Sequence, residues 1–84
     1  MTKSPNLSGT GDLLSFVNLL DGYHLRYDIR HTMDDCITVA VRSVGIYLEV
    51  YFHDTYVVYS VFNGHEDVED DLNRLLSMLQ DHAA

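Results

Sequence analysis

The chain has one cysteine, one proline and no tryptophan among its 84 residues. A single thiol, Cys36, excludes an intramolecular disulfide framework and a zinc ribbon. Cations are scarce as well. Five Lys or Arg stand against 13 acids, for a formal net charge of -8 and a sequence pI near 4.7. Phosphate binding needs clustered cations, so direct nucleic-acid binding is excluded, and docking on anionic lipid is disfavoured. No apolar run approaches the ~18 residues that span a membrane. The first residues hold one Lys and no apolar stretch of a secretory leader, so none is expected. There is no Gly-rich phosphate loop, no paired-Cys motif and no helical stretch with two His at i, i+4. His53-Asp54 and His65-Glu66-Asp67 place neighbouring donors on one strand end or helix start, where they rarely converge on one ion. Cys36 lacks an orienting third group. The expectation is a protein without catalytic residues, metal or cofactor.

What is present describes one small domain. Hydrophobic residues make up 46% of the chain, enough for one modest core. Residues 1–11 (MTKSPNLSGTG) read as a flexible lead-in and residues 12–84 as a single α+β domain. Leu13, Phe16, Val17 and Leu20 recur at helical spacing, predicting a helix over 12–21. Thr10 or Asp12 caps it, and Gly22 supplies a left-handed residue after its end. Strict alternation follows. Tyr23, Leu25, Tyr27 and Ile29 line one side of a first strand, and 36–42, 46–52 and 56–62 give three more.

Register can be derived from parity. A two-residue turn at Val44-Gly45 sets Val41 on Leu48, Val39 on Val50 and Ile37 on Phe52. A three-residue turn would put Val39 against Glu49, and a one-residue slip sends every side chain to the wrong face. A turn at Asp54-Thr55 sets Phe52 on Val57 and Val50 on Tyr59. A loop from His31 to Asp35 sets Ile29 on Ile37. Val68, Leu72, Leu75, Leu76 and Leu79 form the stripe of a second helix over 66–80. The predicted fold is a two-layer α+β sandwich of order α-β-β-β-β-α. Its four-stranded antiparallel meander carries the N- and C-terminal helices on one face.

Two surfaces follow. The open sheet face gathers Tyr47, Tyr51, Val58 and Phe62 beside Arg26, Arg30 and Arg42, a candidate second interface that would serve a homodimer or adaptor. The other surface is acidic. Asp34 and Asp35 lie in the first hairpin loop. Glu66, Asp67, Glu69, Asp70 and Asp71 put five carboxylates into six positions. Acids in a first helical turn complement the macrodipole, but two or three suffice for that. The surplus predicts a charge-based partner surface made of these seven residues.

In size, acidity and lack of catalytic motifs the chain resembles two groups of small proteins, the anti-CRISPR proteins of phages and mobile elements and the immunity proteins that neutralise nuclease toxins. The resemblance lies in the overall profile and transfers no site residue. It implies blockade in the bacterial cytoplasm of a partner protein with a basic, nucleic-acid-binding surface, through nucleic-acid mimicry or steric block. Complementary potentials would speed encounter and set specificity.

Overall fold

Alternating apolar residues in the middle of the chain build the sheet, and helical stripes at either end roof it. The computed structural model describes residues 7–43, 45–62 and 68–83; for Thr32, Val68 and Glu69 the backbone alone is described. The fold is α+β, an antiparallel sheet with one helix before it and one after it. Helix α1 spans Leu13–Gly22, and strands β1 (Arg26–Met33), β2 (Cys36–Ser43), β3 (Ile46–His53) and β4 (Val57–Val61) form the meander. A two-residue strand, β5 (Val68–Glu69), adds to the far edge, and helix α2 spans Leu72–Asp81.

The central registers are those that parity demands. Val41 pairs with Leu48, Val39 with Val50 and Ile37 with Phe52. Phe52 then pairs with Val57 and Val50 with Tyr59. Ser43 opposite Ile46 closes a two-residue turn whose Gly45 has φ 82°, a conformation glycine adopts without steric cost. Both helices contribute to one core, Phe16 and Leu20 from α1, Leu75 and Leu79 from α2. Phe16 and Phe52 rings meet at 5.3 Å.

Several details differ from expectation. The first hairpin is tighter, with Ile29 opposite Val39, Tyr27 opposite Val41 and Met33 opposite Cys36. A bulge between Arg30 and Met33 lets the strand run on to a turn at Asp34–Asp35. Gly22 ends α1 inside the helix, and the left-handed residue is His24, at φ 59°. Helix α2 starts at Leu72 rather than Glu66, because Val68 pairs with Ser60 and Glu69 with Tyr59. Asp71 caps it by accepting from the Arg74 amide at 3.2 Å. The buried Tyr59 donates its hydroxyl to the Asp71 carbonyl at 2.9 Å, tying the helix start to the sheet.

Residues 7–11, placed by composition in the lead-in, pack against the domain. Leu7 is buried in the core. Asp12 makes no side-chain cap on the helix. Its carboxylate accepts from the Ser8 amide at 2.8 Å and from the Ser8 hydroxyl at 2.9 Å.

Candidate functional site

In an antiparallel meander the first and third turns lie at the same end of the sheet. That places Asp34 and Asp35 of the β1–β2 turn beside Asp54 of the β3–β4 turn. The three carboxylates are exposed and rim a shallow cleft of about 330 Å³, with Thr10, His31, Cys36 and Ile37 completing the lining. Cys36 is buried. Burial pushes its thiol up, a Thr38 hydrogen bond opposes this, and the Asp35 charge adds to it. A protonated, buried thiol is a poor nucleophile. Among the described residues, no group of three or more His, Cys, Asp or Glu is placed to hold a metal.

The later acids are reached differently. β5 runs antiparallel to β4 and so carries the chain toward the same end of the sheet. Asp70 and Asp71 follow it and are exposed. At a strand spacing of about 4.8 Å they stand on the order of 15 Å across the sheet from the first turn. Asp71 is already engaged as the cap of α2. Glu69 contributes its backbone to β5. Glu66 and Asp67 lie outside the described residues. Asp54 is the member that sequence reasoning missed. The signal was present, since an antiparallel meander must bring turns 34–35 and 54–55 to one end.

The described arginines of the sheet lie elsewhere, and two of them are neutralised by their own neighbours. Arg26 and Arg42 face each other toward the opposite end. Arg42 reaches Asp28 at 3.4 Å and lies 5.7 Å over the Tyr47 ring. Arg30 reaches Glu49 at 3.6 Å. Glu49 also accepts from the Tyr47 hydroxyl at 2.9 Å and from the Tyr51 hydroxyl at 2.8 Å. Tyr47 packs on Phe62 at 5.3 Å. The open face therefore holds Tyr47, Tyr51, Val58 and Phe62 half-buried, with both tyrosine hydroxyls of this group committed to Glu49. Cys36, Thr38, Ala40 and Ser60, in the alternating positions of the same face, are buried. They are small, and long side chains stand directly across from three of them, Tyr51 opposite Thr38 and Glu49 opposite both Ala40 and Ser60.

Desolvation, then the Glu49 hydrogen bond, pushes the Tyr51 hydroxyl up to about 12, against a Ser60 hydrogen bond that lowers it. The folded chain thus keeps a proton that the unfolded chain releases near 10.0. Stability is expected to fall as pH rises from 10 toward 12. Tyrosinate absorbance should show a late-titrating fraction. Glu49→Gln should move that fraction to lower pH, and an unchanged curve would remove Glu49 as a cause.

No family model, curated protein or solved structure matches the chain. Among the described residues, no helix is long and apolar enough to cross a membrane.

Proposed function

We propose that this chain is a non-enzymatic acidic inhibitor that binds and blocks a basic, nucleic-acid-binding surface of a partner protein in the bacterial cytoplasm. One observation carries the reading. Asp34, Asp35 and Asp54 stand exposed around one cleft, with Asp70 and Asp71 farther along the same end, while Arg26, Arg30 and Arg42 lie on the open face, where Arg30 and Arg42 pair with its acids. A carboxylate row whose cleft, among the described residues, is lined by no arginine or lysine can take positions that phosphates would occupy. Carboxylates of this kind steer encounter and suppress wrong partners. Immunity to a nuclease toxin is the same reading with the nuclease as partner.

The test immobilises the chain, captures protein from a bacterial lysate, and challenges the complex with salt and with duplex DNA or RNA. The captured protein should bind nucleic acid and be released by both challenges. A variant carrying Asp34→Asn, Asp35→Asn and Asp54→Asn should fold and bind about tenfold more weakly, since roughly 0.5 kcal/mol per exposed charge sums to that factor. Undiminished capture by the folded triple variant would sink the proposal.

A further inference from the structure

β1 closes the sheet on one side, and among the described residues no strand pairs with its outer edge. The Phe62 amide donates to the Tyr47 carbonyl, so odd-numbered residues of β3 direct their backbone groups to β4 and even-numbered ones to β2. Carried across the two registers, this alternation commits Arg26, Asp28 and Arg30 to β2 and leaves the N–H and C=O of Tyr27 and Ile29 aimed outward. Such an edge is a template for another strand, and proteins blunt it with Pro, with Lys and other charges, with bulges or with short length. Here the edge strand is eight residues long, RYDIRHTM, with neither Pro nor Lys. Its Ile29 is 53% exposed. The opposite edge ends in the two-residue β5.

The charge order along β1 selects the occupant. Residues directly opposite in an antiparallel pair share a face, so self-pairing about a two-fold axis must centre on a residue. Centring on Asp28 sets Asp28 against itself and Arg26 against Arg30, pairing like charges. Centring on Tyr27 sets Ile29 against Leu25, which lies outside the strand and is buried. Centring on Ile29 sets Asp28 against Arg30 on both sides of the axis and Ile29 against itself. The Asp28–Arg30 positions are then the closely spaced, non-hydrogen-bonded ones, with Cα atoms about 4.5 Å apart. We propose that β1 pairs antiparallel with β1 of a second copy of this chain about a two-fold axis at Ile29, joining the two sheets into one. The bulge beyond Arg30 limits the paired stretch, so the association is concentration-dependent.

Sedimentation over roughly 1 µM to 1 mM should show monomer passing to dimer. Ile29→Lys should remain monomeric throughout while keeping the parent circular dichroism spectrum. Under mild oxidation Ile29→Cys should cross-link to itself about tenfold faster than Asp28→Cys or Tyr27→Cys, because hydrogen-bonded pairs hold Cα atoms about 5.5 Å apart, within disulfide reach. The native Cys36 is buried, so its background is low. A monomer across the whole range, a dimer that survives Ile29→Lys, or equal cross-linking through Asp28→Cys or Tyr27→Cys would each overturn the proposal.

Discussion

Leu75→Asp is expected to leave the chain unfolded at neutral pH. Leu75 is fully buried and sits in α2 among core residues drawn from both helices and from β2, β3 and β4, with Tyr27 of β1 packed at the margin. Removing its burial costs about 2 kcal/mol. An unpaired carboxylate placed there adds several more. A chain of this length has roughly 4–13 kcal/mol of total stability, so the change consumes most or all of it. Asn73→Asp is the control. Asn73 is exposed and lies in the first turn of α2, where a negative charge complements the free amide groups, so that variant should melt no lower than the parent. Far-ultraviolet circular dichroism and urea titration separate the two. A soluble Leu75→Asp protein with a cooperative transition would show that the buried face of α2 is assigned wrongly.

Different physical rules governed what could be read from residues alone. The pairing of β2, β3 and β4 was legible because two-residue turns and alternation leave one register with every apolar side chain on one face. The β1–β2 register was not, because a shift of two residues preserves faces. Ile29 opposite Ile37 and Ile29 opposite Val39 satisfy the pattern equally, and the bulge that decides between them leaves no hydrophobic signature. The start of α2 was misread for a related reason. Val68 falls on the helical stripe of Leu72 and Leu75, yet its backbone has a strand partner in Ser60. The cap belongs to Asp71, whose carboxylate meets the Arg74 amide three residues on, an N-cap spacing hidden within a run of acids.

The site divides along the same line. Asp34 and Asp35 were identifiable as a hairpin tip, and Asp54 required the topology. The open face was expected as a second, aromatic interface. Its polar groups form a network in which Glu49 collects two tyrosine hydroxyls and Arg30, and groups so engaged offer a partner little unmet hydrogen bonding. Among the described residues, the β1 edge carries outward backbone groups with no strand partner and the turns carry exposed carboxylates.

Gly9→Ala is expected to destabilise the fold by about 2–4 kcal/mol, while Gly11→Ala, two residues away, changes stability little. A Cβ at Gly9 would press into the backbone carbonyl of Asp54 and crowd that of His53. Those atoms belong to the β3–β4 hairpin, which cannot give way as a flexible side chain would. The segment must lift instead. Leu7 then leaves the core, at about 2 kcal/mol for a leucine side chain, and the Asp12–Ser8 bonds lose their support. At Gly11 an added methyl meets nothing within 4 Å, and the substitution reduces the freedom of the unfolded chain, a stabilising effect of a few tenths of a kcal/mol to about 1. For a domain of this size each kcal/mol moves the melting temperature by about 4–8 °C, so the pair should differ by more than 8 °C. The comparison also bears on function, because Thr10 lines the acidic cleft beside Asp54. Lifting residues 7–10 would open that end of the sheet while leaving Asp34 and Asp35 on their hairpin. Partner binding by a Gly9→Ala protein held well below its melting point should therefore weaken less than binding by the triple Asp→Asn variant. Equal melting of the two glycine variants would mean that residues 7–9 do not pack against the β3–β4 turn.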